Sequence, residues 1–169
     1  MLTYIQAEKI VNSLKTYVKD LYVTGKFRRK ENEIDELSFI SKIPLTYMAD
    51  RLTQYFDNPK LDFEVQGKRY MRIKMPCDYG DVYMDFWKPR DEYEYFFYKT
   101  YLNMDKGDQI YYKKMAINKG YVLTQHGLYK ENIQVDIPFF TKFCLNTILD
   151  VPQYPYSHHF DLSQYYEVA

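Results

Sequence analysis

Gly25-Lys26-Phe27-Arg28-Arg29-Lys30-Glu31-Asn32-Glu33-Ile34-Asp35-Glu36-Leu37-Ser38-Phe39-Ile40 is the stretch from which the rest of the chain is read. Gly25 stops an apolar segment, a charged run follows to Glu33, and the pattern predicts a strand from Glu33 to Ile40. Alternate side chains of a strand share a face, so Glu33, Asp35 and Leu37 are expected to point the same way. Two carboxylates so placed on a rigid element, joined by a third from a neighbouring strand, are hard oxygen donors. Such a set suits two magnesium ions about 3.5–4 Å apart. Acid-x-acid pairs also occur on solvated strand faces, so the pair alone defines no function.

Working outward toward the N-terminus, Thr3 and Gln6 have the spacing of a capping box. Ile5, Ile10, Val11, Leu14, Val18 and Leu21 then follow with roughly helical spacing. Leu21 to Thr24 reads either as the end of that helix or as a short strand. In the other direction, Pro44 suits the first turn of a helix whose apolar face is Leu45, Met48, Leu52 and Phe56, ended by Asn58-Pro59. Three strands are expected next, Leu61 to Val65, Lys68 to Met75 and Asp81 to Trp87, with turns at Gln66-Gly67 and Asp78-Tyr79-Gly80. Lys68, Tyr70, Arg72 and Lys74 share one face of the middle strand; Arg69, Met71, Ile73 and Met75 share the other. The aromatic stretch Glu92 to Leu102 fits no single period. Asp108 is read as the cap of a helix through Asn118, stopped by Gly120. A hairpin turns at Gln125-His126-Gly127, and Pro138 to Leu149 forms a last helix. The pattern is α+β, with a mixed or antiparallel sheet flanked by helices.

Composition narrows the functional classes. The chain has 169 residues, 46% hydrophobic and 27% charged, which suits a folded domain or two packed subdomains. No run is apolar enough to cross a bilayer, and Met1-Leu2-Thr3-Tyr4 lacks the layout of a secretory signal, so an intracellular protein without membrane association is expected. Cys77 and Cys144, distant and isolated, fit a reducing compartment. Net charge is zero, whereas proteins that grip nucleic acid usually carry a basic surplus. The 20 Tyr and 11 Phe serve base stacking, cores and protein interfaces equally well, so they do not choose among these uses.

The order of motifs adds a resemblance. Gly25-Lys26-Phe27-Arg28-Arg29, then Glu33-Ile34-Asp35, then Tyr83-Met84-Asp85-Phe86 resemble the signature of the family X DNA polymerases: Gly-Ser with a double Arg, a paired acid motif, and a third acid on a later strand. Met1 to Gln6, Lys9 to Asn12 and the hairpin Asn118 to Tyr129 are similar to the small viral, palm-and-thumb members of that family. The resemblance implies a palm-like subdomain over residues 1–104 and a thumb-like subdomain over 105–169. It implies a DNA polymerase or nucleotidyltransferase extending a primer 3′ end, with DNA and a deoxynucleoside triphosphate as partners, possible work in viral DNA repair, and a place in the host cytoplasm, a viral factory or the virion. Glu33, Asp35 and Asp85 would bind Mg2+. Gly25, Lys26, Arg29, Tyr111 and Tyr112 would bind the nucleotide, and Lys68, Arg72, Lys74, Lys113, Lys114 and Gln125 the DNA.

The chain departs from that pattern at informative places. Lys26 stands where the family has Ser, Glu33 replaces the first Asp, and Tyr83 occupies a position where the polymerases usually carry Arg. From Glu131 onward Lys142 is the one basic residue against Glu131, Asp136, Asp150, Asp161 and Glu167. The tail from Gln153 is expected to pack on its own domain or a protein partner and not on nucleic acid. The alternative function is therefore a catalytically silent homologue, an interaction protein of a viral particle or other large assembly.

Overall fold

The computed structural model describes residues 1–56, 61–136 and 142–150. Asn58-Pro59, Pro138, His158-His159 and the tail from Gln153 lie outside the described residues. The chain divides into two compact units, Met1–Arg90 and a second one from Asp91 onward. The division falls earlier than the expected one after residue 104. The aromatic stretch is a helix whose Phe97 and Tyr101 enter the core of the second unit beside Tyr112 and Leu128.

The first unit begins with helix α1 (Tyr4–Tyr17), opened by the expected capping box: the Thr3 side chain accepts from the Gln6 amide, and the Gln6 side chain accepts from the Thr3 amide. Strand β1 (Leu21–Thr24), the one-turn helix α2 (Gly25–Arg28) and strand β2 (Glu36–Ser41) follow. Then come helix α3 (Leu45–Phe56) and strands β3 (Asp62–Gln66), β4 (Tyr70–Cys77) and β5 (Gly80–Trp87). The sheet order is β1-β2-β5-β4-β3, with β2 and β5 parallel and the other neighbours antiparallel. Ala7, Val11 and Leu14 of α1 and Leu45, Met48 and Leu52 of α3 bury against one sheet face, formed by Leu37, Phe39, Met71, Ile73, Met84 and Phe86. Each such side chain, fully removed from water, contributes about 1.5–3 kcal/mol relative to exposure. That face closes the core, and the opposite one carries Glu36, Ser38, Arg72 and Asp85.

The second unit contains α4 (Glu92–Tyr101), α5 (Lys106–Asn118), an antiparallel sheet of β6 (Tyr121–Thr124), β7 (Gly127–Lys130) and β8 (Ile133–Gln134), and α6 (Lys142–Leu149). Asp91 caps α4, accepting from the Glu94 amide at 2.9 Å. The cap of α5 is Asp105 and not Asp108: the Asp105 carboxylate accepts from the Asp108 amide at 2.7 Å. Asp108 instead turns into the core, where its Oδ2 accepts from Lys142 at 2.7 Å. Gly120, at φ +83°, ends α5 as expected. Cys77 and Cys144 are free thiols, and among the described residues no helix is long and apolar enough to cross a membrane.

Candidate functional site

β5 runs between β2 and β4, and its alternation places Val82, Met84 and Phe86 in the core and Tyr83, Asp85 and Trp87 on the other face. Across the parallel ladder Glu36 stands opposite Tyr83 and Ser38 opposite Asp85; across the antiparallel ladder Arg72 stands opposite Asp85 and Lys74 opposite Tyr83. This register gathers Glu36, Ser38, Arg72 and Asp85 in the middle of one sheet face.

Glu33 and Asp35 lie outside strand β2. Ile34 is fully buried and makes an isolated bridge with Leu2, the two exchanging hydrogen bonds of 2.7 and 2.9 Å, and ladder pairing begins only at Glu36. On the strand itself the alternate polar positions are Glu36 and Ser38, of which only the first is an acid. The signal for this was present in the sequence. Leu37 and Phe39 are apolar while Glu36 and Ser38 are polar, so alternation assigns the pair at 36 and 38 to the solvent face.

Asp85 is 5% exposed and doubly held. The Tyr70 hydroxyl donates to its Oδ1 at 2.6 Å, and Arg72 Nη1 donates to both carboxylate oxygens at 3.2 and 3.1 Å. Arg72 also reaches Glu36 at 3.8 Å and Glu64 at 3.9 Å, and its guanidinium lies 4.2 Å above the Tyr83 ring. The planar fork and stacking surface of arginine suit this crowded position; a lysine would offer a single point of charge. Burial pushes the Asp85 carboxyl above its ordinary range, against the downward pull of Tyr70 and Arg72. Glu36 is raised by burial and then by the charges of Asp85 and Asp35. The Tyr70 phenol is pushed up to about 12, by burial first and then by its bond to Asp85.

The neighbouring motif residues are also engaged. Lys26 donates to Asp35 at 2.6 Å; this bond raises the lysine and holds the Asp35 carboxyl below its ordinary range. Arg29 is largely buried, and its Nε and Nη2 hold Glu31 at 2.8 and 2.7 Å. Gly25 sits at φ +70°, and a Cβ there would meet the Ser38 side chain at 3.3 Å, so both backbone and space call for glycine. Glu33 is exposed beside Met1, Lys26, Glu31 and Asn32. Lys74 pairs with Asp81 at 3.4 Å. Lys68 precedes β4 and borders a cleft with Leu45, Ala49, Asp50 and Met71, apart from Arg72 and Lys74. The expected basic face of β4 is thus two acid-paired cations, with the third turned elsewhere.

The remaining candidates belong to the second unit. Tyr112 is fully buried, donates to Asn146 Oδ1 at 2.5 Å and packs edge-on to Tyr111, so it is a core residue and not a stacking platform. Lys113 and Lys114 are exposed on α5, with Lys113 5.7 Å from the Tyr101 ring. Gln125 lies in the β6–β7 turn, its amide 3.4 Å from His126 Nε2.

A two-magnesium site needs several carboxylate oxygens free to converge on the ions. Here Asp85 is buried and bonded to Arg72 and Tyr70, and Ser38, its neighbour across the parallel ladder, offers no carboxylate. Among the described residues no three acid, His or Cys side chains gather as a metal-holding group. The donor set does not fit a pair of divalent ions.

No family model matches the chain, and no curated protein matches it. Solved structures do. Leishmania infantum polymerase beta in a ternary P/T complex superposes with TM-score 0.64 at 13% identity, covering 94% of this chain and 75% of that chain. The same polymerase in a ternary gap complex superposes with TM-score 0.70 at 12% identity, covering 95% and 71%. The chain shares the fold of that polymerase, an α+β architecture built on a mixed sheet flanked by helices.

Proposed function

We propose that this chain is a nucleotidyltransferase-fold protein of the family X type that has lost phosphoryl-transfer chemistry and acts as an interaction protein of a viral particle or another large assembly. In this reading the first unit is palm-like and the second thumb-like. The observation that carries it is a serine, Ser38, opposite an Asp85 already bonded to Arg72. Zero net charge argues in the same direction, because nothing in the overall charge attracts a phosphate backbone. The viral setting rests on the N-terminal and hairpin motifs alone.

A second reading is supported by Gly25, whose positive φ and close approach to Ser38 call for glycine at the head of the Gly-x-x-Arg-Arg stretch. In it the chain extends a primer on DNA: Glu33, Asp35 and Asp85 hold Mg2+, and Gly25, Lys26 and Arg29 face the triphosphate. Single-nucleotide incorporation on a gapped duplex, with Mg2+ and then Mn2+, separates the two. The silent reading expects no incorporation with either ion. Incorporation that disappears in Asp85→Ala would replace it with the second.

A further inference from the structure

We infer that Arg72 is a resident cation that occupies the place of a divalent ion on this sheet face, so that the intact chain excludes such ions there. The inference rests on the silent reading above and extends it to the identity of the group that closes the site.

Three acids from three strands surround one guanidinium: Glu36 of β2, Glu64 of β3 and Asp85 of β5, at 3.8, 3.9 and 3.1 Å. Carboxylates converging from separate strands repel one another unless a cation stands among them. Arg72 is that cation. It comes from β4, the strand between two of the three, and its orientation is fixed twice: by Nη1, which donates to both oxygens of Asp85, and by the Tyr83 ring 4.2 Å below. Tyr70, two residues earlier on the same strand face, donates the second bond to Asp85 at 2.6 Å. The family's usual arginine position two residues before the third acid is Tyr83 here. That tyrosine forms the floor on which an arginine from the next strand lies, so the positive charge reaches Asp85 by a different route. A divalent ion entering this cluster would have to displace a charge already stacked and hydrogen-bonded, or sit within a few ångströms of it. At such distances like-charge repulsion weakens binding by on the order of a hundredfold or more.

The test is Mn2+ titration of the intact chain, reading the loss of the free-ion signal by electron paramagnetic resonance, beside Arg72→Met, Arg72→Lys and the double variant Arg72→Met/Asp85→Asn. Arg72→Met is expected to bind Mn2+ on the order of a hundredfold more tightly than the parent, with the gain abolished in the double variant. Arg72→Lys keeps a cation and is expected to bind no better than the parent. The inference is overturned if the parent takes up one Mn2+ at sub-millimolar concentration through Asp85, or if Arg72→Met, folded by circular dichroism, gains nothing. Should Arg72→Met fail to fold, the parent and Arg72→Lys decide: exclusion by both supports the inference, and uptake by either overturns it. Mn2+ uptake by the parent without primer extension would sink this inference and leave the silent reading standing. Primer extension by a parent chain that binds no Mn2+ before nucleotide is added would do the reverse.

Discussion

Lys26–Asp35 in the first unit and Lys142–Asp108 in the second are the same chemical pair at nearly the same distance, 2.6 and 2.7 Å. Their surroundings differ completely. The first pair is 31% and 55% exposed, the second 1% and 3%. Lys142 and Asp108 are both buried, Lys142 lies 5.7 Å from the Tyr112 ring, and Asp108 Oδ1 has no hydrogen-bond partner among the described residues, so this pair belongs to the packing of α5 on α6. Lys26 and Asp35 can each exchange their partner for water or a solute ion at small cost. The sheet face around Asp85 falls between these extremes: Asp85 is buried, while Arg72 remains partly in solvent. The Lys142–Asp108 pair is structural, whereas the charges on the sheet face of the first unit stay partly open to solvent.

The comparison is most easily broken at Lys142. Lys142→Met leaves a buried carboxylate without its cation and should cost about 3–5 kcal/mol in chemical denaturation. Lys142→Met/Asp108→Leu, which removes both charges, should recover most of that loss. A Lys142→Met variant as stable as the parent would mean that the interior is wetter than the distances indicate.

Next in size is Gly25→Ala. The left-handed backbone and the 3.3 Å approach to Ser38 should together cost about 1–2 kcal/mol in the same measurement. A neutral result would show that the β1–α2 turn relaxes freely, and would remove the main support for a preserved nucleotide turn.

Lys26→Met, the open-face counterpart of Lys142→Met, should cost less than about 1 kcal/mol, and salt should erase the difference. A loss as large as that at Lys142 would abolish the contrast between the two units.

Smallest is the effect of Glu36→Gln. The folded-state carboxyl of Glu36 is raised, so its contribution to stability is fully present below the unfolded pKa and is lost as pH rises through the folded one. Asp35 runs the other way: its carboxyl is lowered, and its contribution is present above the ordinary carboxylate range and lost as pH falls through the depressed value. Glu36→Gln should therefore match the parent in acid and exceed it slightly near neutrality. Solvent screening of this partly exposed group keeps the gain below about 0.5 kcal/mol. Melting temperatures at pH 3 and pH 7 read the difference.

Much of the fold was legible because local signals agreed. The Thr3/Gln6 box, the Leu45/Met48/Leu52 stripe and the alternation of Met71, Ile73 and Met75 each specify one element without help from distant residues. Helix α4 escaped because Tyr95, Phe97, Tyr98, Lys99, Thr100 and Tyr101 are buried all round, which erases the periodic polar face. Its one local marker was Asp91 three residues before Glu94, the spacing of an N-terminal cap. Asp108 reads as the cap of α5 in the sequence, while the structure caps that helix with Asp105. A lysine 34 residues further on draws Asp108 inward, and no local pattern carries that information. At the site, Asp85 and the Gly25 turn could be read directly, whereas the partner of Asp85 on β2 was legible only in the alternation of Glu36, Leu37, Ser38 and Phe39. A bridge between Leu2 and Ile34 delays the strand to Glu36, and that shift changes which residues share the face.

The most direct test of the closed sheet face is a crystal structure of the intact chain grown with Mn2+ and a deoxynucleoside triphosphate, with manganese located by its anomalous scattering. The account predicts the Arg72 guanidinium on Asp85, stacked over Tyr83, and no manganese peak among Glu36, Glu64 and Asp85. A manganese ion ligated by Asp85, with Arg72 displaced from the cluster, would contradict it.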